Sequence, residues 1–327
     1  MKPDYSQLLL NELKKYKNES RSGEILSQQL NISRTAIWKH IKKLQTQGYE
    51  IKANGKLGYQ LSFEPEPIAV EQLKNVKFKM FNINISYRNQ VESTQTEAKH
   101  FAEKGLEQGT LIIAEQQHHG KGRLGRIWHS PYGKGLWMSF ILRPNVSIQF
   151  APQLTLLVAV ALCETLRQYL ELPATIKWPN DVLINGKKCS GILLESVAEE
   201  QRLKYVIAGI GINVNLSQDD FPEELKELAT SLRIEADKII DRTQFLIEFY
   251  QRFDKLLYEF EKYGFSAIAI KWEAYADGFG ALKKIKQGDH IFYATPFKLD
   301  DSGALWVRHK DGKEEKIFAA EIGEVRK

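Results

Sequence analysis

A chain of 327 residues has room for two or three domains, and 43% hydrophobic with 27% charged residues is ordinary for a folded globular protein. Two cysteines, Cys163 and Cys189, exclude a disulfide framework or a cysteine-rich metal site; no apolar run is expected to reach membrane-spanning length and the N-terminal stretch has no signal-peptide core, so a cytoplasmic setting is expected. The net charge of +5 is uneven: residues 1–64 carry 11 Lys and Arg against 6 Asp and Glu, and the remainder is neutral, the footprint of a nucleic-acid-binding module joined to a body that binds none.

Tyr5 to Tyr16 sets Leu8, Leu9 and Leu13 at helical spacing. Ser22 precedes a second short helix with Ile25, Leu26 and Leu30. Ser33 is the expected N-cap of a third, Arg34 to Gln45, whose stripe Ile37, Ile41 and Leu44 faces the core. The opposite face carries Arg34, Thr35, Trp38, Lys39 and Lys42, which fits a helix-turn-helix with its third helix in the major groove. Trp38 is open between covering the core and touching DNA. Two strand-like runs, Tyr49–Ala53 and Leu57–Leu61, flank Asn54-Gly55, which predicts a type I′ hairpin with Lys52 and Lys56 at its tip. The reading is a winged helix in which Ser22, Ser33, Arg34, Thr35, Trp38, Lys39, His40, Lys42, Lys52 and Lys56 meet DNA.

Pro65 and Pro67 stiffen a joint, and the first boundary is placed after residue 64. Residues 65–272 mix strand-like and helical runs without regular alternation, which predicts an α+β domain around a mixed sheet. It includes a helix capped at Ser93-Thr94-Gln95, a buried strand from Thr110, a long apolar helix from Leu154, a hairpin turning at Asn185-Gly186 and a strand Tyr205–Ile212. Residues 273–327 break into short alternating runs cut by Gly-Asp turns, which predicts a small antiparallel barrel.

The chemistry concentrates in two segments. Gln117 to Trp128 reads QHHGKGRLGRIW, with Gly120, Gly122 and Gly125 interleaved with Lys121, Arg123 and Arg126. Glycines let the backbone approach an anion and the cations neutralise it, although a basic glycine-rich loop also occurs as a solvated turn. The segment is neither a Walker A loop nor a dinucleotide fingerprint. Lys177 to Glu195 reads KWPNDVLINGKKCSGILLE.

Together the two segments resemble the signature of biotin protein ligases, and the winged helix ahead of them narrows the resemblance to bifunctional biotin ligase and biotin-operon repressors. That family implies an SH2-like central domain and an SH3-like C-terminal barrel. It implies activation of biotin by ATP and Mg²⁺ to biotinyl-5′-adenylate, then transfer to a lysine of a biotin carboxyl carrier domain. Arg123 and Lys188 match the catalytic cations. Ser93, Thr94, Gln95, Gln117, Lys121, Gly122, Arg123, Lys188 and Gly191 match the biotin site. Arg126, Trp128, Lys177, Asn180, Asp181, Gly209, Gly211 and Asn213 fall on the nucleotide side. Asp181 is either a Mg²⁺ ligand or a turn acceptor, and the strand end at Gly209 and Gly211 either nears adenine or is tight packing. The adenylate is expected to act as co-repressor of a homodimer on a palindromic operator. The chain departs from the family at Lys121, where many members have Arg, and at His118-His119, read as exposed. A repressor with an inactive ligase body, or a lipoate-type ligase, is the alternative.

Overall fold

The structure, a computed structural model, describes residues 3–16 and 19–323. The chain divides into two compact units: Met1–Pro67 with Pro131–Lys134, and Ile68–Ser130 with Gly135–Lys327.

In the first unit α1 (Tyr5–Lys15), α2 (Gly23–Leu30) and α3 (Arg34–Thr46) precede a hairpin of β1 (Glu50–Ala53) and β2 (Tyr59–Phe63). Leu9, Leu10, Leu13, Leu26, Ile37, Ile41, Leu44, Ile51 and Leu61 form one core, as the helical stripes require. The Oγ atoms of Ser22 and Ser33 accept from the amides of Ile25 and Ala36, which starts α2 and α3. Arg34, Thr35, Lys39 and Lys42 are exposed on α3, and Trp38, 51% exposed, takes no part in the core. His40 turns onto α1, 2.9 Å from Ser6 Oγ.

The hairpin tip is not a type I′ turn. Asn54 has φ −100°, and Gly55–Leu57 forms a 3₁₀ turn. The chain re-enters the strand at Gly58 (φ 102°), where a Cβ would lie 1.9 Å from Arg21 O. Tyr59 and Arg21 exchange two backbone hydrogen bonds of 2.8 Å just beyond it, so this close approach, rather than the Asn-Gly pair, sets the turn. Lys52 is exposed on β1; Lys56 sits in the turn and its side chain lies outside the described residues.

The second unit runs α4 (Val70–Lys74), β3 (Asn84–Val91), α5 (Thr94–Glu103), β4 (Thr110–Gln117), β5 (Gly120–Lys121), β6 (Ile127–Trp128), β7 (Leu136–Leu142), α6 (Ala151–Tyr169), β8 (Ala174–Lys177), β9 (Asp181–Ile184), β10 (Lys187–Glu199), β11 (Arg202–Ile212), α7 (Leu232–Ala236), α8 (Arg242–Tyr263) and α9 (Ser266–Tyr275). Then come β12 (Lys283–Gln287), β13 (His290–Leu299), β14 (Leu305–His309), β15 (Glu314–Ile317) and β16 (Glu321–Gly323). Seven strands form a mixed sheet in the order β3-β4-β7-β11-β10-β9-β8, parallel only between β3 and β4. The last five form an antiparallel sheet, β15-β14-β13-β12-β16.

Strand periodicity places the site. Leu111 and Ile113 of β4, Met138 and Phe140 of β7 and Val206, Ala208 and Ile210 of β11 share the core that holds α6 and α8. The alternate residues Ile112, Ile141, Tyr205 and Ile207 pack on Ala98 and Ala102 of α5. Helix α5 is short, so the same sheet face is left for a cleft beyond its N-terminus. The stretch Ile148–Tyr169 is long and apolar enough to cross a membrane by length and composition, contrary to the expectation from sequence; 67% of its apolar window is buried in this unit, where it serves as the core helix.

Candidate active site

The basic loop is a tight ribbon. β5 pairs with β6, Gly122 N donates to Arg126 O at 2.8 Å, and a 3₁₀ turn with Leu124 at φ 56° and Gly125 at φ 73° closes the tip. The ribbon carries Arg123 across to the second segment, where its guanidinium donates to Asn180 Oδ1 at 2.9 Å. One residue on, Asp181 Oδ1 lies 2.7 Å from Lys188 Nζ. Asn180 is itself pinned to β10: its Nδ2 donates to Ile192 O, and Ile192 N donates to Asn180 O, both at 2.9 Å. Two consecutive residues, the last of the turn and the first of β9, thus hold both cations that the sequence singles out.

Glycines form the floor. Gly191 pairs with Gly211 across β10 and β11, and Gly209 follows at the next outward position. A Cβ at Gly211 would lie 2.4 Å from Trp128 Nε1, one at Gly191 2.8 Å from the same ring, and one at Gly209 2.4 Å from Gln95 Oε1. The bare strands let the indole and the glutamine lie flat on the sheet. Lys188 Nζ stands 5.1 Å from the Trp128 ring centroid, within cation–π range.

A chain of side-chain hydrogen bonds lines the inner end. Gln117 Oε1 accepts from Thr94 N at 2.9 Å and lies 3.0 Å from Thr94 Oγ1; Gln117 Nε2 donates to Ser130 Oγ at 3.0 Å. Thr94 Oγ1 lies 2.9 Å from Ser139 Oγ, which is 3.0 Å from Gln95 Oε1. Ser93 occupies the N-cap position of α5, but its hydroxyl does not cap the helix. Its Oγ and Trp128 Nε1 are buried and make no hydrogen bond among the described residues, so each is available to a bound molecule.

The ribbon, the glycine floor and the hydrogen-bonded inner end border one cavity of about 560 Å³. Every residue assigned to the biotin and nucleotide sides lines it: Ser93, Thr94, Gln95, Gln117, Lys121, Gly122, Arg123, Arg126, Trp128, Lys177, Asn180, Asp181, Lys188, Gly191, Gly209, Gly211 and Asn213. Arg126 leans outward and pairs with Glu321 of β16. The Asn213 side chain donates to Thr230 O at 3.1 Å and so anchors the loop that follows β11.

Sequence reading missed part of the wall. Phe221, Leu225, Leu228 and Ala229 of that loop line the cavity, as do Lys284, Lys286, Ala320, Glu321 and Ile322 of the C-terminal sheet. Ser139 of the wall, and Ser130 which accepts from Gln117 outside it, also escape a sequence reading. His118 and His119 are exposed, and His119 pairs with Glu92. Cys189 is a fully buried filler whose thiol burial pushes well up; burial likewise pushes Cys163 to about 12, so neither is a nucleophile.

The sequence and the fold are similar to those of known proteins. Residues 87–213 match the biotin/lipoate A/B protein ligase family, and residues 6–60 match an HTH domain. The chain is similar to the bifunctional ligase/repressor BirA of Bacillus subtilis, 41% identical over 306 residues that cover 93% of this chain and 94% of that protein. It is 34% identical over 234 residues to the biotin–[acetyl-CoA-carboxylase] ligase of Paracoccus denitrificans, covering 71% of this chain and 96% of that one. A structure of biotin protein ligase from Aquifex aeolicus in complex with biotin and ATP superposes with a TM-score of 0.64 at 32% identity, over 74% of this chain and 99% of that one. A ligase domain carried with a helix-turn-helix is the class these matches define. The chain belongs to the biotin protein ligases, among the bifunctional ligase/repressors.

Proposed function

We propose that this chain activates biotin with ATP to biotinyl-5′-adenylate and pyrophosphate, passes the biotinyl group to a lysine of a biotin carboxyl carrier domain, and represses transcription with the adenylate as co-repressor. The observation that carries this reading is the convergence of Arg123 and Lys188, from separate segments, on one cavity. Two anions must meet there, and fixed cations in a partly enclosed space lower that cost.

In the first step a biotin carboxylate oxygen attacks the α-phosphorus, the bond from that phosphorus to its bridging oxygen breaks, and pyrophosphate leaves with the electron pair. Arg123 and Lys188 offset the charge gathering on the non-bridging oxygens. Ser93, Thr94, Gln95 and Gln117 orient the ureido end, and Trp128 covers the middle. In the second step an acceptor amine attacks the acyl carbon, the acyl–oxygen bond breaks, AMP leaves, and the amine proton is released. Arg126, Lys177 and the wall around Gly209, Gly211 and Asn213 take the nucleotide side.

Among the described residues no three His, Cys, Asp or Glu side chains gather to hold a metal. Asp181 lies against Lys188 and has no such group of carboxylates gathered beside it among the described residues. These residues do not form a Mg²⁺ cage, so we assign the ion to the triphosphate as part of the MgATP substrate.

We place the exposed α3 residues Arg34, Thr35, Trp38, Lys39 and Lys42, with Lys52 and Lys56 of the wing, on operator DNA, as a homodimer in the cytoplasm. The hydroxyls of Ser22 and Ser33 are engaged in capping and His40 in its Ser6 contact, so these three act through the shape of the unit. The test has two arms. Biotin-dependent pyrophosphate release and labelling of a carrier domain, with lipoate as competitor, read the ligase. A gel shift with and without biotin plus ATP reads the repressor; unchanged operator affinity would remove the co-repressor role, and labelling by lipoate instead would replace the substrate.

A further inference from the structure

We infer that Ser139 is a positioning residue that sets Thr94 as a hydrogen-bond acceptor toward the cavity, and so makes the site select a ring N–H. The inference rests on the biotin reading above. Ser139 is fully buried in β7, an isolated hydroxyl within the apolar run LWMSFIL.

The direction of each bond follows from its partners. Gln95 Nε2 faces the carbonyls of Ile207 at 3.3 Å and Leu193 at 3.5 Å, which only accept, so the amide oxygen must face Ser139. That oxygen has no hydrogen, and Ser139 therefore gives it its single one. Ser139 can then only accept from Thr94, 2.9 Å away. The other neighbour of Thr94, Gln117 Oε1, is also an acceptor, because Thr94 N donates to it. The Thr94 hydrogen is thereby drawn into the protein and a lone pair is left toward the cavity. A cyclic urea offers N–H donors to that lone pair, and the buried Ser93 hydroxyl is placed to donate to its carbonyl. An isostere with oxygen in place of the ring N–H would set two acceptors against each other.

Ser139→Ala leaves Gln95 Oε1 without that donor and removes one of the two acceptors that hold the Thr94 hydrogen inward, so that Gln117 Oε1 alone competes with a ligand for it. The experiment compares kcat/KM for biotin with that for its cyclic carbamate analogue, in which a ureido N–H is replaced by oxygen, in pyrophosphate release. The wild type should favour biotin by about 10²-fold or more. Ser139→Ala should cut that preference to less than about tenfold, chiefly through KM for biotin, with KM for ATP within about twofold. Ser139→Thr keeps the hydroxyl and should keep the preference. A preference unchanged in Ser139→Ala, or lost equally in both variants, would overturn the assignment. A wild type that releases no pyrophosphate with biotin would instead overturn the ligase reading and this inference with it.

Discussion

Lys188 Nζ lies 2.7 Å from Asp181 Oδ1, and both side chains line the cavity. An ammonium held this way stays at the cavity mouth and can exchange its carboxylate partner for a phosphate oxygen when the nucleotide arrives. Lys188→Ala should lower kcat for biotin-dependent pyrophosphate release by about 10²–10³-fold. Asp181→Asn leaves the ammonium in place and should cost less than about tenfold in the same assay. A larger loss from Asp181→Asn than from Lys188→Ala would put the carboxylate, not the ammonium, at the reacting atoms.

Arg123 and Asn180 share a 2.9 Å hydrogen bond, and Asn180 is fixed to Ile192 through both its side-chain amide and its backbone carbonyl. Residues joined this way should not act independently. A double-mutant cycle of Arg123→Ala and Asn180→Ala on kcat/KM should give a coupling of about 1–3 kcal/mol. Additive losses would mean that Asn180 does not hold the guanidinium during the reaction.

Gly211 has no room for a side chain beneath Trp128. Gly211→Ala should displace the indole at about 1–3 kcal/mol and raise KM for biotin about tenfold. Adding Trp128→Ala removes the crowding, so the double variant should be no worse than Trp128→Ala alone. Full additivity would place the crowding somewhere else.

Arg242 NH1 lies 2.7 Å from Glu115 Oε2, with 5% and 2% of the two side chains exposed, and Glu115 also accepts from the Tyr87 hydroxyl. Removing one charge strands the other. Arg242→Met should destabilise the ligase unit by about 3–5 kcal/mol in urea unfolding, and Arg242→Met with Glu115→Leu should recover much of that loss. If the double variant were as unstable as the single, packing rather than an isolated charge would be the cause.

The parts of this molecule that sequence exposes are those whose chemistry is unusual for their neighbourhood. Cations interleaved with glycine mark Lys121 to Arg126, and an apolar stripe opposite a basic face marks α3. Ser139 is hidden because a lone hydroxyl in an apolar strand tells only that it needs partners; those partners, Thr94 and Gln95, come from a helix far back in the chain. The wall from Phe221 to Ala229 has no period to detect, since its shape is set by short 3₁₀ turns and by Asn213 gripping Thr230. The Asn54-Gly55 tip misleads for a related reason: a distant contact, Gly58 against Arg21, outweighs the local preference of the pair.

The KWPND turn is tied from behind. Trp178 Nε1 donates to Gly303 O at 3.3 Å, and Asp277 N donates to Ile176 O at 2.8 Å. A chain shortened after α9 would keep Arg123, Lys188 and the hydroxyls of Ser93, Thr94 and Ser139 that line the cavity, yet the strand carrying their supports would lose its backing. Inactivating changes should therefore arise among residues that never meet a substrate, and a foreign C-terminal sheet grafted onto this ligase would work only if it offered a carbonyl where Gly303 does.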